Sequence, residues 1–272
     1  MVYGESYQTK QANKFRNRQN NHWRFRIELG QRLVKTLQDK RLSAKDPADI
    51  NICDVGCSIG TFAIEFAKNG YKTFGIDMDE EALKIARELA IEEGVDPAFY
   101  CGDIAAWESF GPPIDIALCF DIFEHLHDDQ LGAFLCSIRE ALSDSGGLIF
   151  HTFPTQYDYL FFDKKSSIRH LPLLPFRNIK NSRFERILRF YATMLDGASL
   201  IKTGLTHKMS IKKDSHCNPT TKDRLEEVLT RAGFTILEIG STQLYPIMEK
   251  RCAQFGQQPI SHRNLYGIAV PS

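Results

Sequence analysis

An apolar segment that runs directly into a glycine turn most constrains the fold of this chain. Residues 50–60 read INICDVGCSIG, and a second apolar segment at 73–79, TFGIDMD, ends on acidic residues. Gly56 and Gly60 let the backbone approach a ligand closely because glycine has no Cβ. A helix that begins at this turn directs its free N–H groups to the same place. The pattern is typical of a doubly wound α/β sheet that binds a nucleotide-type cofactor.

The residues around the turn indicate which kind of cofactor is bound. Asp54 lies two residues before Gly56, and Ser58 stands where a dinucleotide site favours another glycine. A carboxylate so close to the turn would repel a pyrophosphate and would attract an ammonium group. The spacing therefore favours a cofactor with an amino-acid moiety over a dinucleotide.

Six segments in the same order resemble the motifs of class I S-adenosylmethionine (SAM) methyltransferases, in particular the small-molecule O-methyltransferases of the ubiquinone-biosynthesis type. The segments are DVGCSIG at 54–60, TFGIDMD at 73–79, AFYCGDIAAW at 98–107, IDIALCFDIFEHL at 114–126, GGLIFHTFP at 146–154 and TTKDRLEEVLTRAGF at 220–234. Ser58 replaces the middle glycine of the first motif. We expect this replacement to reshape the loop modestly and to leave the site intact.

The resemblance implies that SAM is the cofactor and assigns roles to particular residues. Asp77 would bind the ribose, Met78 would lie beside the adenine, and Asp103 would lie near the adenine amino group. Arg24 or Arg26 of the N-terminal region would meet the carboxylate of the methionine moiety, with Arg26 our choice for the site. The full set of expected cofactor-binding residues is Asp54, Gly56, Cys57, Ser58, Gly60, Asp77, Met78, Asp103, Ile104, Phe120 and Arg26.

The expected architecture is an α/β, Rossmann-like, doubly wound and mostly parallel seven-stranded sheet with an antiparallel last strand. Apolar runs predict strands near 50–55, 72–77, 98–102, 114–120, 147–153, 234–240 and 264–270, and helices near 10–40, 60–69, 79–93, 128–143 and 220–232. The domain plan is a helical N-terminal cap (1–45), a SAM-binding core (46–153), a lid insertion (154–218) and the C-terminal part of the core sheet (219–272).

Charge is distributed unevenly along a chain whose formal net charge is zero. Residues 42–153 carry 21 acidic and 6 basic residues, whereas residues 154–213 carry 12 basic and 4 acidic ones. Residues 10–41 are also basic, with 10 basic and 2 acidic residues. Two explanations stay open: the basic segments dock on the acidic core, or they face an anionic substrate, a carrier protein or a membrane surface.

Composition excludes several other classes of protein. No run of about 18 apolar residues predicts a membrane span, and the polar start does not resemble a signal peptide, so we expect a cytoplasmic protein. The seven cysteines lack paired C-x-x-C spacing, and we expect buried, reduced thiols without disulfides, including Cys53, Cys101 and Cys119. Zero net charge and the lack of a recognition motif argue against nucleic acid. The sequence favours no oligomeric state.

The expected lid at 154–218 is both aromatic and basic. It contains four aromatic residues at 157–162, the run LPLLPF at 171–176 and an apolar helical pattern at 184–191. An apolar lid with a cationic rim would suit a small amphipathic or anionic acceptor, whether lipid-like, free or carrier-bound, and would exclude water from a transfer reaction.

Candidate catalytic residues lie after the fourth and fifth predicted strands. His125 is the first choice for a base that removes a proton from a hydroxyl acceptor, and His151 and Asp121 are further candidates. His216 would close the pocket or cap the following helix. N- or C-methylation and an inactive SAM-binding subunit stay open as alternatives. A remote alternative is a metal-dependent hydrolase that uses His125, His127 and Asp129; we expect no metal.

Overall fold

Seven strands form a single sheet in the computed structural model, which describes residues 5–17, 21–109, 111–153, 218, 220–241 and 264–272. The strands are β1 (Asn51–Val55), β2 (Lys72–Asp77), β3 (Ala98–Cys101), β4 (Ile114–Phe120), β5 (Leu142–Thr152), β6 (Phe234–Gly240) and β7 (Leu265–Pro271). The α-helices are α1 (Glu5–Arg16), α2 (Asn21–Arg41), α3 (Thr61–Lys68), α4 (Glu80–Glu92), α5 (Asp128–Ala141) and α6 (Lys222–Arg231).

The strand order is β3-β2-β1-β4-β5-β7-β6, which confirms the predicted fold class. Strands β1 to β5 pair in parallel, and β7 runs antiparallel to both β5 and β6. The chain proceeds from β1 outward to β3 on one side and returns to place β4 on the other side of β1. Such a reversal opens a crevice at the carboxyl ends of the strands, where ligands of doubly wound sheets bind.

Helices cover both faces of the sheet. Helix α2 buries one apolar stripe, because Leu29, Leu33 and Leu37 pack in one cluster with Ile52 of β1 and Ile149 of β5. On the opposite face, α5 and α6 join a second cluster with the inner residues of β4 and β5. Burial of both faces explains why the strands read as nearly continuous apolar runs.

The short helix α1 docks on α4 at the edge of the molecule. Phe15 is buried and shares a small core with Leu89 of α4. Arg16 adds two hydrogen bonds to the carboxylate of Glu92, at 2.9 and 2.6 Å. The two contacts fix α1 along α4, whose first turn follows the carboxyl end of β2.

Some cations of the basic segment 10–41 pair with acids of the core. Arg16 contacts Glu92, and Arg32 contacts Glu238 of β6 at 2.8 Å. Arg16 thus docks on the acidic segment 42–153, and Arg32 docks on the C-terminal part of the sheet.

Strand β5 begins five residues earlier than the predicted start at 147. Leu142 pairs with Ile114 and Gly147 pairs with Ile116, so β5 contains an irregularity with extra residues opposite β4. A Cβ on Gly146 would lie 2.9 Å from the carbonyl oxygen of Ile114, so glycine allows this close approach. The predicted helix at 128–143 ends correspondingly early, at residue 141.

The prediction of buried cysteines holds for two of the three strand residues. Cys53 and Cys119 lie in the interior of β1 and β4, but Cys101 is exposed, so the prediction is wrong for it. The reason is that β3 is the edge strand and Cys101 is its last residue. All five cysteines within the described ranges are free thiols.

Several expectations fall outside the described residues. These are the lid up to residue 217, which includes His216, and the first four residues of the N-terminal cap. The domain boundaries stay predictions. In the part of the chain that the structure describes, no helix combines the length and the apolar character needed to cross a membrane.

Candidate active site

A cavity of about 620 Å³ lies at the carboxyl ends of β1, β2, β3 and β4. Its volume is within the usual range of small-molecule sites, roughly 300–1,000 Å³. Most of the residues that we expected at the site line it: Asp54, Gly56, Cys57, Ser58, Asp77, Met78, Asp103, Ile104, Phe120, Arg26, Asp121 and His125. Gly60 and His151 do not line it. The sequence motifs therefore converge on one cavity.

The loop between β1 and α3 has an unusual backbone. Gly56, Ser58 and Gly60 all have positive φ angles, of 67°, 48° and 75°. Ser58 thus adopts the left-handed conformation that glycine adopts easily and that other residues adopt at a cost of roughly 1–2 kcal/mol. Gly60 serves a packing role as well, since a Cβ there would lie 2.7 Å from the ring of Phe99.

Asp77 at the end of β2 holds this loop in place. Its Oδ2 accepts a hydrogen bond from the backbone N–H of Ser58 at 2.8 Å, and its Oδ1 accepts one from the N–H of Asp79 at 2.9 Å. A carboxylate has about four lone-pair sites. Asp77 can therefore anchor the loop and still accept hydrogen bonds from two ligand hydroxyls.

Helix α1 closes the side of the cavity beside Asp77. Gln8 donates a hydrogen bond from Nε2 to Asp79 Oδ2 at 2.7 Å, and Gln8 and Gln11 both line the cavity. Asp79 Oδ1 in turn caps α4 by accepting from the N–H groups of Glu81 and Ala82. Sequence reasoning did not identify the two glutamines, although their spacing of three places them on one face of a helix.

The opposite wall offers apolar surface beside one polar residue. Ile104 is buried, whereas Met78 is 70% exposed and forms part of the cavity rim. Asp103 is exposed and accepts a hydrogen bond through Oδ1 from the N–H of Ala105 at 3.0 Å. An aromatic base could contact the two apolar side chains, with Asp103 at its edge.

Asp54 is buried at the end of β1. Its Oδ2 accepts a hydrogen bond from the backbone N–H of Ala63 at 3.3 Å. Burial raises the pKa of Asp54 to about 7, and the negative charge of Asp77 adds to the effect. A cation in the cavity would favour the ionised form of this carboxyl.

A chain of polar contacts runs from α2 to the start of β7. Arg26 donates from Nε to Asp121 Oδ2 at 2.7 Å, and Asp121 Oδ1 lies 2.6 Å from His151 Nδ1. The other ring nitrogen, His151 Nε2, lies 3.1 Å from Asn264 Nδ2. The four residues, named here the polar relay, connect the cap to the central and C-terminal strands.

The electrostatics of Asp121 disfavour its expected role as a base. Burial opposes its ionisation, but the charges and hydrogen bonds of His151 and Arg26 outweigh burial and hold the pKa of the Asp121 carboxyl below its usual value. Both of its oxygens also have partners. A carboxylate in this state is a weak proton acceptor, so we do not assign base catalysis to it.

His151 lies inside the fold and not on the cavity wall. It is fully buried, and its ring stacks on Phe120 with the centroids 5.5 Å apart and an angle of 13° between the planes. Because both ring nitrogens face protein partners, His151 is not placed to receive a proton from a substrate in the cavity.

His125 is the titratable residue best placed to meet an acceptor. It ends a short 3₁₀ helix, Phe123–His125, after β4, and it is half-buried on the cavity wall. Leu126, Phe134 and Phe153 line the same end of the cavity. An imidazole beside an apolar surface suits proton removal from a partly apolar substrate.

Glu124, next to His125, is fully buried and also lines the cavity. Thr152 Oγ1 donates a hydrogen bond to Glu124 Oε2 at 2.9 Å. Burial, with a contribution from the charge of Asp121, raises the pKa of Glu124 well above its usual value. Burial thus works against ionisation of Glu124 at this end of the cavity.

The residues of the hydrolase alternative do not gather into a metal site. His125 lines the cavity, whereas His127 and Asp129 are exposed at the start of α5. Within the described ranges, no group of three or more histidine, cysteine or acidic side chains is placed to hold a metal ion. The alternative has no structural support.

Arg24, the second candidate for the cofactor carboxylate, is exposed and pairs with Glu28 at 2.7 Å. It does not line the cavity. Of the two arginines, Arg26 alone is in position to meet a bound ligand.

Comparison with known proteins identifies methyltransferases as the relatives of this chain. A methyltransferase-domain family matches residues 22–239. A protein of Geobacillus sp. (strain WCH70) that carries a methyltransferase name is 27% identical over 196 residues, which cover 69% of this chain and 75% of that protein. A ubiquinone biosynthesis O-methyltransferase of Vibrio atlanticus (strain LGP32) is 26% identical over 171 residues, covering 62% and 68%.

A solved structure shows the same fold. Magnesium protoporphyrin IX methyltransferase from Synechocystis PCC 6803, crystallised with S-adenosylhomocysteine (SAH), aligns with a TM-score of 0.52 and 16% identity over 90% of this chain and 85% of that one. The polar groups of the cavity fit an adenosyl cofactor: Asp77 offers spare acceptor sites, and the buried Thr61 hydroxyl on the wall has no hydrogen-bond partner among the described residues. The chain therefore belongs to the methyltransferase-domain family and is a class I SAM-dependent methyltransferase.

Proposed function

We propose that this enzyme transfers a methyl group to an oxygen atom of a small, amphipathic or anionic acceptor. The observation that carries the proposal is the position of His125, on the wall of the cavity that also contains the cofactor loop and Asp77. The apolar side chains of Leu126 and Phe134 beside it would hold the apolar part of the acceptor. The name of the Vibrio relative, an O-methyltransferase, agrees with this choice.

Each end of the cofactor would meet a different part of the cavity. When bound, SAM supplies an activated methyl group on a positively charged sulfur. Asp77 would accept hydrogen bonds from the ribose hydroxyls, and Met78, Ile104 and Asp103 would contact the adenine. Asp54 would attract the ammonium group and Arg26 the carboxylate of the amino-acid moiety.

The remaining residues would orient the acceptor and receive its proton. A hydroxyl must lose its proton as it gains a methyl group, and a positioned base typically contributes about 100-fold to 10,000-fold to such a step. His125 is the residue that we assign to this role. Apolar side chains around it would exclude water and hold the acceptor oxygen close to the reacting methyl group.

The acceptor atom can be tested directly by product analysis. The purified enzyme would be incubated with SAM that carries a ¹³C-labelled methyl group and with a panel of phenols, carboxylic acids, amines and activated carbon acceptors. The chemical shift of the transferred carbon distinguishes methyl groups on oxygen, nitrogen and carbon. We expect label on oxygen; label confined to nitrogen or carbon would favour the alternative transferases instead.

The raised pKa of Asp54 predicts a pH-dependent affinity for the cofactor. If the ionised carboxylate attracts the ammonium group, SAH must compete with a proton on Asp54, whose pKa is about 7. SAH affinity should therefore rise about tenfold from pH 6 to pH 8, which calorimetry would measure. Asp54→Asn should bind more weakly and lose this pH dependence. An equally steep dependence in Asp54→Asn would contradict the assignment.

Stability without cofactor should change with pH in the opposite direction. Folded Asp54 keeps its proton to a higher pH than the unfolded chain, whose ordinary value is 3.8. The contribution of Asp54 to the free energy of unfolding is therefore fully present below about pH 4 and is lost as the pH rises to about 7. Thermal unfolding of the cofactor-free protein over this range would measure the loss.

A further inference from the structure

We infer that His151 and Asn264 are positioning residues for the amino-acid end of the cofactor and act through Asp121 and Arg26. The inference rests on the proposed contact between Arg26 and the cofactor carboxylate. It gives a role to a buried histidine that cannot reach the acceptor, and it adds Asn264, which lies far from every sequence motif.

Asp121 holds the Arg26 side chain in position. Arg26 has a long, flexible side chain, yet it is only 6% exposed and lines the cavity. Its Nε donates to Asp121 Oδ2 at 2.7 Å. A guanidinium held through Nε has a defined plane, and this fixes the directions of its remaining N–H groups.

Asp121 adopts a strained backbone conformation. Its φ angle is +57°, in the left-handed region, directly after the last residue of β4. Its backbone N–H donates to the carbonyl oxygen of His151 at 2.8 Å, and its Oδ1 contacts His151 Nδ1 at 2.6 Å. His151 thus holds Asp121 through both backbone and side chain, and such strain persists only where the surroundings enforce it.

The His151 ring is itself held in place by aromatic contacts and hydrogen bonds. Its ring stacks on Phe120 and meets the edge of Phe25, with centroids 6.5 Å apart. Its Nε2 lies 3.1 Å from Asn264 Nδ2, just before β7. Tautomer and ring orientation are therefore set by Asn264 on one side and Asp121 on the other. Through the contacts of the polar relay, the sheet fixes the position of the Arg26 side chain.

Two ligands that differ only in the amino-acid end separate positioning from general stability. SAH carries the amino-acid moiety, and 5′-methylthioadenosine lacks it. Calorimetry would give the affinity of each ligand for the wild-type enzyme, His151→Phe and Asn264→Leu. Phenylalanine keeps the aromatic stacking but removes both hydrogen bonds, and leucine removes the amide without a large change in volume.

We expect each variant to bind SAH about tenfold more weakly and 5′-methylthioadenosine within about twofold of wild type, because one charge-assisted contact is misplaced and the nucleoside contacts are untouched. The KM for SAM should rise with little change in kcat. Thr73→Val is the matched control, since Thr73 of β2 carries a buried hydroxyl that has no hydrogen-bond partner in the described part of the chain. It should leave both affinities unchanged. Asn264→Ala replaces either variant that does not fold.

Each other outcome overturns a defined part of the proposal. Equal weakening of both ligands, or of neither, would give His151 and Asn264 a structural role alone. If Arg26→Leu lowers the ratio of SAH to 5′-methylthioadenosine affinity but His151→Phe and Asn264→Leu do not, only the inference fails. If Arg26→Leu leaves that ratio unchanged, the proposed carboxylate contact fails and the inference fails with it. Absence of SAH binding to wild type would overturn the cofactor assignment itself.

Discussion

Replacing His125 by alanine is expected to lower kcat about 100-fold or more, because the methyl acceptor would lose the base that takes its proton. His125 follows β4 in a 3₁₀ turn in which its backbone N–H donates to the carbonyl oxygen of Ile122 at 2.9 Å. Loss of the imidazole leaves this turn and the cofactor wall in place. The KM for SAM and the affinity for SAH should therefore stay within about twofold of wild type, because no cofactor contact is assigned to the imidazole.

Two further measurements make this prediction specific. Added imidazole should restore part of the activity of His125→Ala, because a small base can occupy the space left by the side chain. His127→Ala is the matched control: its ring is exposed, and its contact with Gln130 Oε1 is made by the backbone N–H. If His125→Ala and His127→Ala have the same kcat, His125 is not the base.

Replacing Asp77 by alanine is expected to weaken SAH binding about 100-fold or more, since two charge-assisted hydrogen bonds to the ribose would be lost at roughly 1.5–3 kcal/mol each. The same change removes the acceptors for the N–H groups of Ser58 and Asp79. The strained loop at Ser58 would lose an anchor, which would weaken binding further. Asp77→Asn should lose nearly as much affinity, because it has no charge and one acceptor atom fewer.

Calorimetry with SAH measures this effect, and thermal unfolding shows whether the variants stay folded. Asp96→Ala is a suitable control, as Asp96 is an exposed acid just before β3 and outside the cavity. An Asp77→Ala protein that stays folded and binds SAH as tightly as wild type would contradict the role of the carboxylate. It would also remove the main argument for placing the ribose at the end of β2.

Local sequence patterns were sufficient for the fold class and for most of the cofactor wall. Apolar runs that are buried on both faces, such as β4, predict parallel strands because helices must cover both sides of such a sheet. Asp77 was predictable because an acid that ends a strand of a doubly wound sheet must lie at the binding edge. Ser58 adopts a left-handed backbone conformation in the loop, and the expectation that the replacement leaves the site intact stays a prediction.

What the sequence by itself determined is thus the positions of the strands along the chain, the glycine loop and the acids at the strand ends, since each can be read from residues that are near one another in sequence. Only the tertiary structure decided the contacts of His151, Asp121, Gln8 and Asn264. Their partners are 30 to 113 residues away in the chain, so no local pattern reports them. Whether a histidine on a strand faces a cavity or an asparagine depends on which helix covers that face and on the pairing of distant strands.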